Sequence, residues 1–333
     1  MRHLSQRKDD HLTDQQTASP ESGIKVKIGL ALATLITLPL AWLPARLGLA
    51  LGAALGRLAF LVMGKRRRIA VANIEMIKAN GSLPPDLDAA ATARGSFANL
   101  GRSAWEAICF YHRGFEPFKK YCHVDVGREF FESTQAEARR TGKGLMLITG
   151  HFDNWELECQ YLPLTFNLHL TTVGRTSGHP VADILTERLR TKNGNAFLSK
   201  KGGARDMIKV LKSGGAIGTL IDQAVIGNHV GAPVPFLGRI ATTNLGPIRL
   251  ARRSGAPIIM VLFRREGRHH FMKVCPPLQA PADLDGEEAL MADAAQLNQW
   301  LGDHIKKYPD QWMWGHRRWK TREKVAEDAD SIV

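Results

Sequence analysis

The chain is 333 residues long, 44% hydrophobic and 23% charged, a composition that excludes a wholly disordered protein. Forty-five Lys plus Arg against 32 Asp plus Glu leave a formal charge of +13, which favours an anionic partner: nucleic acid, an anionic membrane, or a phosphorylated or acidic substrate. The four cysteines, Cys109, Cys122, Cys159 and Cys275, form no C-x-x-C pair, so neither a zinc site nor a disulfide framework is indicated and a reducing setting is expected.

Residues 1–27 are polar and read as a disordered tail. From Ile28 to Ala45 the sequence carries no charge, a length near the lower limit for crossing a bilayer, and is interrupted by Pro39 and Pro44. A second apolar stretch, Leu47 to Gly64, carries only Arg57 and ends in Lys65-Arg66-Arg67-Arg68. Basic residues that follow rather than precede the apolar region argue against a cleaved signal peptide. Residues 28–65 are therefore expected to be a membrane anchor, either one span with an interfacial helix behind it or a hairpin embedded in one leaflet. A buried soluble helical hairpin is the alternative. The position of the four cations favours the membrane, because cations beside an apolar segment are retained on the cytoplasmic side and bind anionic headgroups.

Beyond the anchor, helix and strand patterns alternate. Helices are expected over Arg67 to Ala79 and, after Pro84-Pro85-Asp86, up to about Phe110. A short strand over Tyr121 to Val126 and a helix over Glu129 to Arg140 precede a fully apolar strand, Gly144 to Thr149. Further strands are read at Leu168 to Val173, Ala216 to Ile221, Pro257 to Phe263 and Phe271 to Val274, with helices at 180–192, 203–213, 243–254 and 286–307. This alternation predicts an α/β fold: a mixed, largely parallel central sheet flanked by helices, in one catalytic domain over 66–320, with a polar tail at 321–333.

The chemistry concentrates where the apolar strand ends, at Thr149-Gly150-His151-Phe152-Asp153-Asn154-Trp155-Glu156. Open α/β sheets place ligands at the C-terminal ends of their strands. On one continuous helix His151 and Glu156 would lie about 140° apart, so they meet only if His151 precedes the helix and Glu156 sits in its first turns. A carboxylate so placed holds the imidazole in one tautomer and stabilises the imidazolium, which suits deprotonation of a hydroxyl. Asp153 and Glu158 are rivals for the carboxylate role, and Asp153 is also a candidate helix cap. No H-E-x-x-H pattern suggests a metal, and no G-x-S-x-G elbow or phosphate loop occurs. The tryptophans Trp312, Trp314 and Trp319, with Arg317 and Arg318, suit either the headgroup level of a membrane or an aromatic core. No nucleic-acid recognition motif is present, and nucleic acid is not expected as a partner.

The Thr149–Glu156 segment resembles the H-x4-D/E block of the glycerolipid acyltransferase superfamily. The rest is similar to its lipid A biosynthesis (lauroyl/myristoyl) acyltransferase branch. The matching stretches are Arg67 to Ile74, Arg175, Arg190 with Gly194, Asp222-Gln223, Val234 to Gly238, Leu250 to Pro257, and Pro309 to Trp319. They cover roughly residues 30–320 in consistent order.

The resemblance implies transfer of an acyl chain from an acyl carrier protein thioester, or from acyl-CoA, to a hydroxyl of a lipid A precursor at the cytoplasmic face of the bacterial inner membrane. His151 would be the general base and Glu156 its orienting carboxylate. A thioester is already activated, so no cofactor and no acyl-enzyme is expected. Arg175 and Arg190 are candidates for substrate phosphates or a phosphopantetheine arm, with structural salt bridges as the alternative. Asp222 and Gln223 either shape the site or form a turn. A related glycolipid or lysophospholipid is the nearest alternative acceptor, and a catalytically silent lipid-binding protein is the alternative from another class.

Overall fold

The computed structural model describes residues 20–174, 177–199, 203–224, 231–278 and 286–319. Both polar tails lie largely outside that range. Helix α1 (Pro20–Ala41) runs through Pro39, and Pro44 separates it from α2 (Ala45–Val62). Helix α3 (Gly64–Ala79) carries the basic collar. Asp88 caps α4 (Ala89–Arg113), its carboxylate accepting from Ala91 N at 2.9 Å.

The α/β part follows as β1 (Cys122–Val126), α5 (Arg128–Arg140), β2 (Leu145–Thr149), α6 (Trp155–Phe166), β3 (Leu170–Gly174), α7 (Pro180–Thr191), β4 (Ala196–Ser199), α8 (Gly203–Lys212) and β5 (Ala216–Leu220). A hairpin, β6 (Gly231–Phe236) and β7 (Arg239–Asn244), precedes α9 (Gly246–Ser254), β8 (Ile258–Glu266), β9 (His269–Val274) and α10 (Gly286–Lys307). The β6–β7 hairpin and β4 are additions to the sequence reading. The helix expected from 243 starts after Asn244 because those first residues finish the hairpin.

Seven strands form one sheet in the order β1-β9-β8-β2-β5-β3-β4. Strands β8, β2, β5, β3 and β4 run parallel, β9 is antiparallel to β8, and β1 is parallel to β9. The mixed, largely parallel α/β architecture is thus as the sequence predicts. Alternation along each strand fills both faces. Met146, Ile148, Met260 and Leu262 pack with α9, α10 and the C-terminal tryptophans, while Leu145, Leu147, Val261 and Phe263 pack with α4, α5 and α6. A strand covered on both sides has no polar position to spare, which is why β2 reads as an unbroken apolar run.

Helices α1 and α2 each contain a segment long and apolar enough to cross a membrane, Gly23–Ala41 and Ala45–Val62. Only 6% of the α1 segment is buried, so it is not the core of a soluble hairpin, and Leu35 and Trp42 are 71% and 68% exposed. Helix α2 instead lies along α4. Gly48, Gly52 and Gly56, spaced one turn apart, form the contact. A Cβ on Gly56 would sit 2.1 Å from Phe97 O, one on Gly52 2.5 Å from Gly101 O, and one on Gly48 2.0 Å from the Trp105 ring. Only hydrogen at these positions lets the two backbones meet.

In a free helix Gly→Ala stabilises by about 1 kcal/mol, but at Gly56 the methyl group meets rigid backbone. Gly56→Ala is expected to destabilise by about 1–3 kcal/mol, seen as a lower midpoint of thermal unfolding in detergent. Gly64→Ala, where nothing lies within 4 Å, is expected to be neutral or slightly stabilising.

Candidate active site

Parallel strands β2 and β5 pair with Thr149 opposite Leu220, and Ile221 N donates to Thr149 O at 3.1 Å beyond the last strand pair. Each chain then runs two residues past its strand, which sets His151 beside Asp222. Asp222 Oδ2 accepts from the His151 backbone N at 2.7 Å, and Asp222 Oδ1 lies 2.7 Å from His151 Nδ1. Trp312 Nε1 donates to the same Oδ2 at 2.7 Å. Gly150 leaves room for this approach, since a Cβ there would lie 3.0 Å from Leu301 and 3.4 Å from Asp222.

Burial opposes the Asp222 charge, but the His151 ring beside it and hydrogen bonds from His151 and Trp312 outweigh that and draw its carboxyl down to about 2. The carboxylate is thus an acceptor only. His151 Nδ1 carries the hydrogen and Nε2 presents its lone pair, with Gln223 Nε2 at 3.0 Å.

Glu156 is not the partner of His151. Its carboxylate takes a bidentate pair from Arg190, Nε to Oε2 at 3.0 Å and Nη2 to Oε1 at 2.6 Å, and accepts from Trp155 Nε1 at 3.1 Å. The reason is the turn between strand and helix. Asn154 caps α6, its side chain accepting from Leu157 N, and starts the helix in a direction that carries Glu156 toward α7. Arg190 therefore makes the structural salt bridge that the sequence left open. Trp155 stands edge-on to the His151 ring, centroids 5.0 Å apart. Arg175, the other basic candidate, lies outside the described residues.

Of the rival carboxylates, Glu158 is buried and accepts from Thr149 Oγ1 at 3.0 Å, and burial pushes its carboxyl well above the usual range. Asp153 does not cap the helix. It adopts a left-handed backbone, φ 44°, which is costly for a residue other than glycine, and its fully buried carboxylate meets Arg265 Nε at 3.0 Å and His270 Nδ1 at 2.6 Å. Arg265 also forks onto Glu106 at 2.7 and 2.6 Å, and His270 Nε2 lies 3.1 Å from Glu106. Asn154 Nδ2 donates to Glu106 at 2.8 Å.

The sequence reading missed Glu106, Arg265 and His270. Their signal was present but faint: Glu106 falls on the buried stripe of α4 beside Trp105 and Cys109, and Arg265 continues the inward alternation of β8. Burial opposes the charge on His270, yet the Asp153 and Glu106 carboxylates on either side outweigh it and raise the imidazole to about 9.

The C-terminal segment closes the arrangement from the other side. Met313 N donates to His151 O at 3.1 Å and Asp153 N to Gln311 O at 3.0 Å, and the Gln311 amide exchanges two hydrogen bonds with the Arg265 backbone. Trp312, Trp314 and Trp319 are buried, as is Arg318. They are core residues that hold the histidine turn, and the headgroup placement does not apply to them. Among the described residues no His, Cys, Asp or Glu group is arranged to hold a metal.

The His270 shift has a defined sign. Its folded value, about 9, exceeds the ordinary 6.5, so the stabilisation is complete below pH 6.5 and is lost as pH rises through about 9. The unfolding midpoint is expected to fall across that window, and the fall to flatten in His270→Gln. An unchanged slope in that variant, followed by thermal denaturation, would contradict the assignment.

Comparison with known proteins shows the family. The profile of the bacterial lipid A biosynthesis acyltransferases matches residues 17–321. The lipid A biosynthesis lauroyltransferase of Escherichia coli (strain K12) is 28% identical over 82% of this chain and 85% of its own length. The lipid A biosynthesis palmitoleoyltransferase of the same organism is 25% identical over 82% and 84%. A solved 1-acyl-sn-glycerophosphate acyltransferase from Thermotoga maritima aligns with 14% identity and a TM-score of 0.37, over 65% of this chain and 83% of that one, a likeness too low to carry an argument. With a family match spanning nearly the whole chain and two helices long and apolar enough to cross a membrane, this protein is an acyltransferase and belongs to the bacterial lipid A biosynthesis acyltransferase family.

Proposed function

We propose that the protein transfers a fatty acyl group from an acyl carrier protein thioester to a hydroxyl of a lipid A precursor at the cytoplasmic face of the inner membrane, with His151 as general base. The observation that carries this reading is the His151–Asp222 hydrogen bond. It leaves Nε2 as the basic nitrogen on a ring that keeps 17% of its surface exposed. The acceptor hydroxyl displaces the Gln223 amide from Nε2 and gives up its proton there. Its oxygen then bonds to the thioester carbonyl carbon, the carbon–sulfur bond breaks, and the leaving thiolate takes the proton from the imidazolium.

Asp222 is a positioning residue that keeps the tautomer and stabilises the imidazolium. Glu156 and Arg190 hold α6 against α7 and set Trp155 edge-on to the His151 ring. Arg175, which directly follows β3, is proposed on the resemblance alone to meet a substrate phosphate. Direct transfer is also supported by the cysteines: burial raises Cys109 to about 12 and Cys275 to about 11, which makes them poor nucleophiles.

The test is transfer of labelled acyl chains to a purified lipid A precursor by the full-length protein, with acyl carrier protein and CoA thioesters compared. His151→Ala is expected to lower turnover about 10³-fold, and Asp222→Asn by roughly 10²–10⁴-fold with little change in acceptor KM. Equal transfer by His151→Ala would overturn the base assignment. Transfer to a lysophospholipid but not to the lipid A precursor would overturn the acceptor.

A further inference from the structure

A groove lies on the far side of α4 from the histidine turn. Its walls are α2, Arg102 of α4, and the tight turn between β8 and β9, and its cavity volume is about 540 Å³. Four arginines line it, Arg46, Arg57, Arg102 and Arg268, and no acidic residue does. Among the described residues none of the four has a carboxylate within 4.0 Å or a hydrogen-bond acceptor of its own. Arg268 stacks over the Tyr121 ring, 4.5 Å from its centroid, a contact that leaves its charge uncancelled, and arginines without carboxylate partners gathered around one recess repel each other unless an anion sits among them.

The geometry points to a binding site for the phosphodiester headgroup of an anionic bilayer phospholipid, held by Arg46, Arg57, Arg102 and Arg268 beside α2.

The disposition of α2 supports that occupant. Arg46 and Arg57 are eleven positions apart, which on a helix places them within about 20° of each other and about 16 Å apart along the axis. Leu47, Leu51, Leu55, Leu58 and Val62 form an exposed stripe turned about 140° from that line. Were α2 to cross the bilayer, one arginine would lie about 16 Å deeper than the other, a costly place for a cation. With α2 in the plane of the interface, both arginines sit at one depth, at phosphate level, while the leucine stripe enters the acyl region.

Arg102 carries the like charge furthest inward. Burial lowers its affinity for a proton, and Arg265 and Arg57 lower it further, while Asp310 and Glu106 act the other way. A phosphate in the groove relieves that repulsion. The groove continues past Leu49 and Arg268 into a larger, mainly apolar recess under the α1–α2 turn, walled by Trp42, Trp105 and Phe118 and lined also by Arg113, Glu116, Lys119 and Lys120, a path suited to an acyl chain attached to the headgroup. An acidic protein surface would have no such recess to fill.

The experiment is native mass spectrometry of the full-length protein equilibrated with equimolar phosphatidylglycerol and phosphatidylcholine in neutral detergent. Wild type is expected to retain phosphatidylglycerol over phosphatidylcholine by about tenfold or more, and His151→Ala to do the same, because retention does not depend on catalysis. Arg57→Gln/Arg102→Gln is expected to lose the preference, Arg57→Lys/Arg102→Lys to keep most of it, and Lys65→Gln/Arg68→Gln in the collar to leave it intact. Retention unchanged in the glutamine pair would overturn the proposal, as would equal loss in the collar variant. Displacement of phosphatidylglycerol by the lipid A precursor would make the groove an acceptor subsite, and displacement by acyl carrier protein would make it a donor-protein surface. Either result overturns the bilayer-lipid assignment.

Discussion

Arg265 reaches from β8 into the interior and grips Glu106 of α4 and Asp153 of the turn after β2, while His270 of β9 bridges the same two carboxylates. Two cations and two anions cancel in a space almost closed to water, Arg265 being 7% exposed and the other three 2% or less. Desolvating four charges is expensive, and only the forked guanidinium and the doubly bonded imidazole return that cost. Removing one member of such a cluster characteristically costs about 3–5 kcal/mol because the others are left uncompensated. What the cluster secures is the path of the chain at 150–154. Asp153 sits at φ 44°, a conformation its side-chain partners hold in place, and that bend sends His151 toward Asp222 and Glu156 toward Arg190.

Helix α4 joins this polar interior to the membrane side of the protein. Ser103 and Glu106 face the histidine turn, with Ser103 Oγ donating to Asp153 O at 3.0 Å. Ser96 on the same helix donates to Trp312 O. Phe97, Gly101 and Trp105 face α2 across a contact that tolerates no side chain on the α2 glycines. One helix therefore fixes the histidine turn with one face and the apolar helix with the other. The spacing between the histidine turn and the apolar helix is thus set by covalent geometry and close packing.

Much of this was legible in the sequence because it depends on local pattern. The unbroken apolar run of β2, the alternation of helix and strand periods, the two apolar helices with a cationic collar, and His151 at a strand end each leave a signature within a few residues. The partner of His151 does not. Asp222 and His151 are neighbours only because β2 and β5 are adjacent in the sheet although two strands intervene in the chain, and strand order is a long-range property. For the same reason Glu156, close in sequence, looked like the partner and is not. The charged cluster was hidden because isolated ionisable residues in apolar segments read as solvent-facing until their partners, 112 to 164 positions away, are brought beside them. The closing tryptophans were ambiguous between lipid and core, and their burial, with the backbone hydrogen bonds that their neighbours Gln311 and Met313 make to the histidine turn, decides for the core.

The central claim is that Asp222 fixes His151 with hydrogen on Nδ1 and the lone pair on Nε2. Nitrogen-15 NMR of the protein with labelled histidine side chains reads this directly, at a pH where the ring is neutral. The account predicts a protonated Nδ1 and a bare Nε2 in the wild type, and a mixture of tautomers in Asp222→Asn. A wild-type ring protonated on Nε2, or one whose tautomer responds to Glu156→Gln and not to Asp222→Asn, would contradict it.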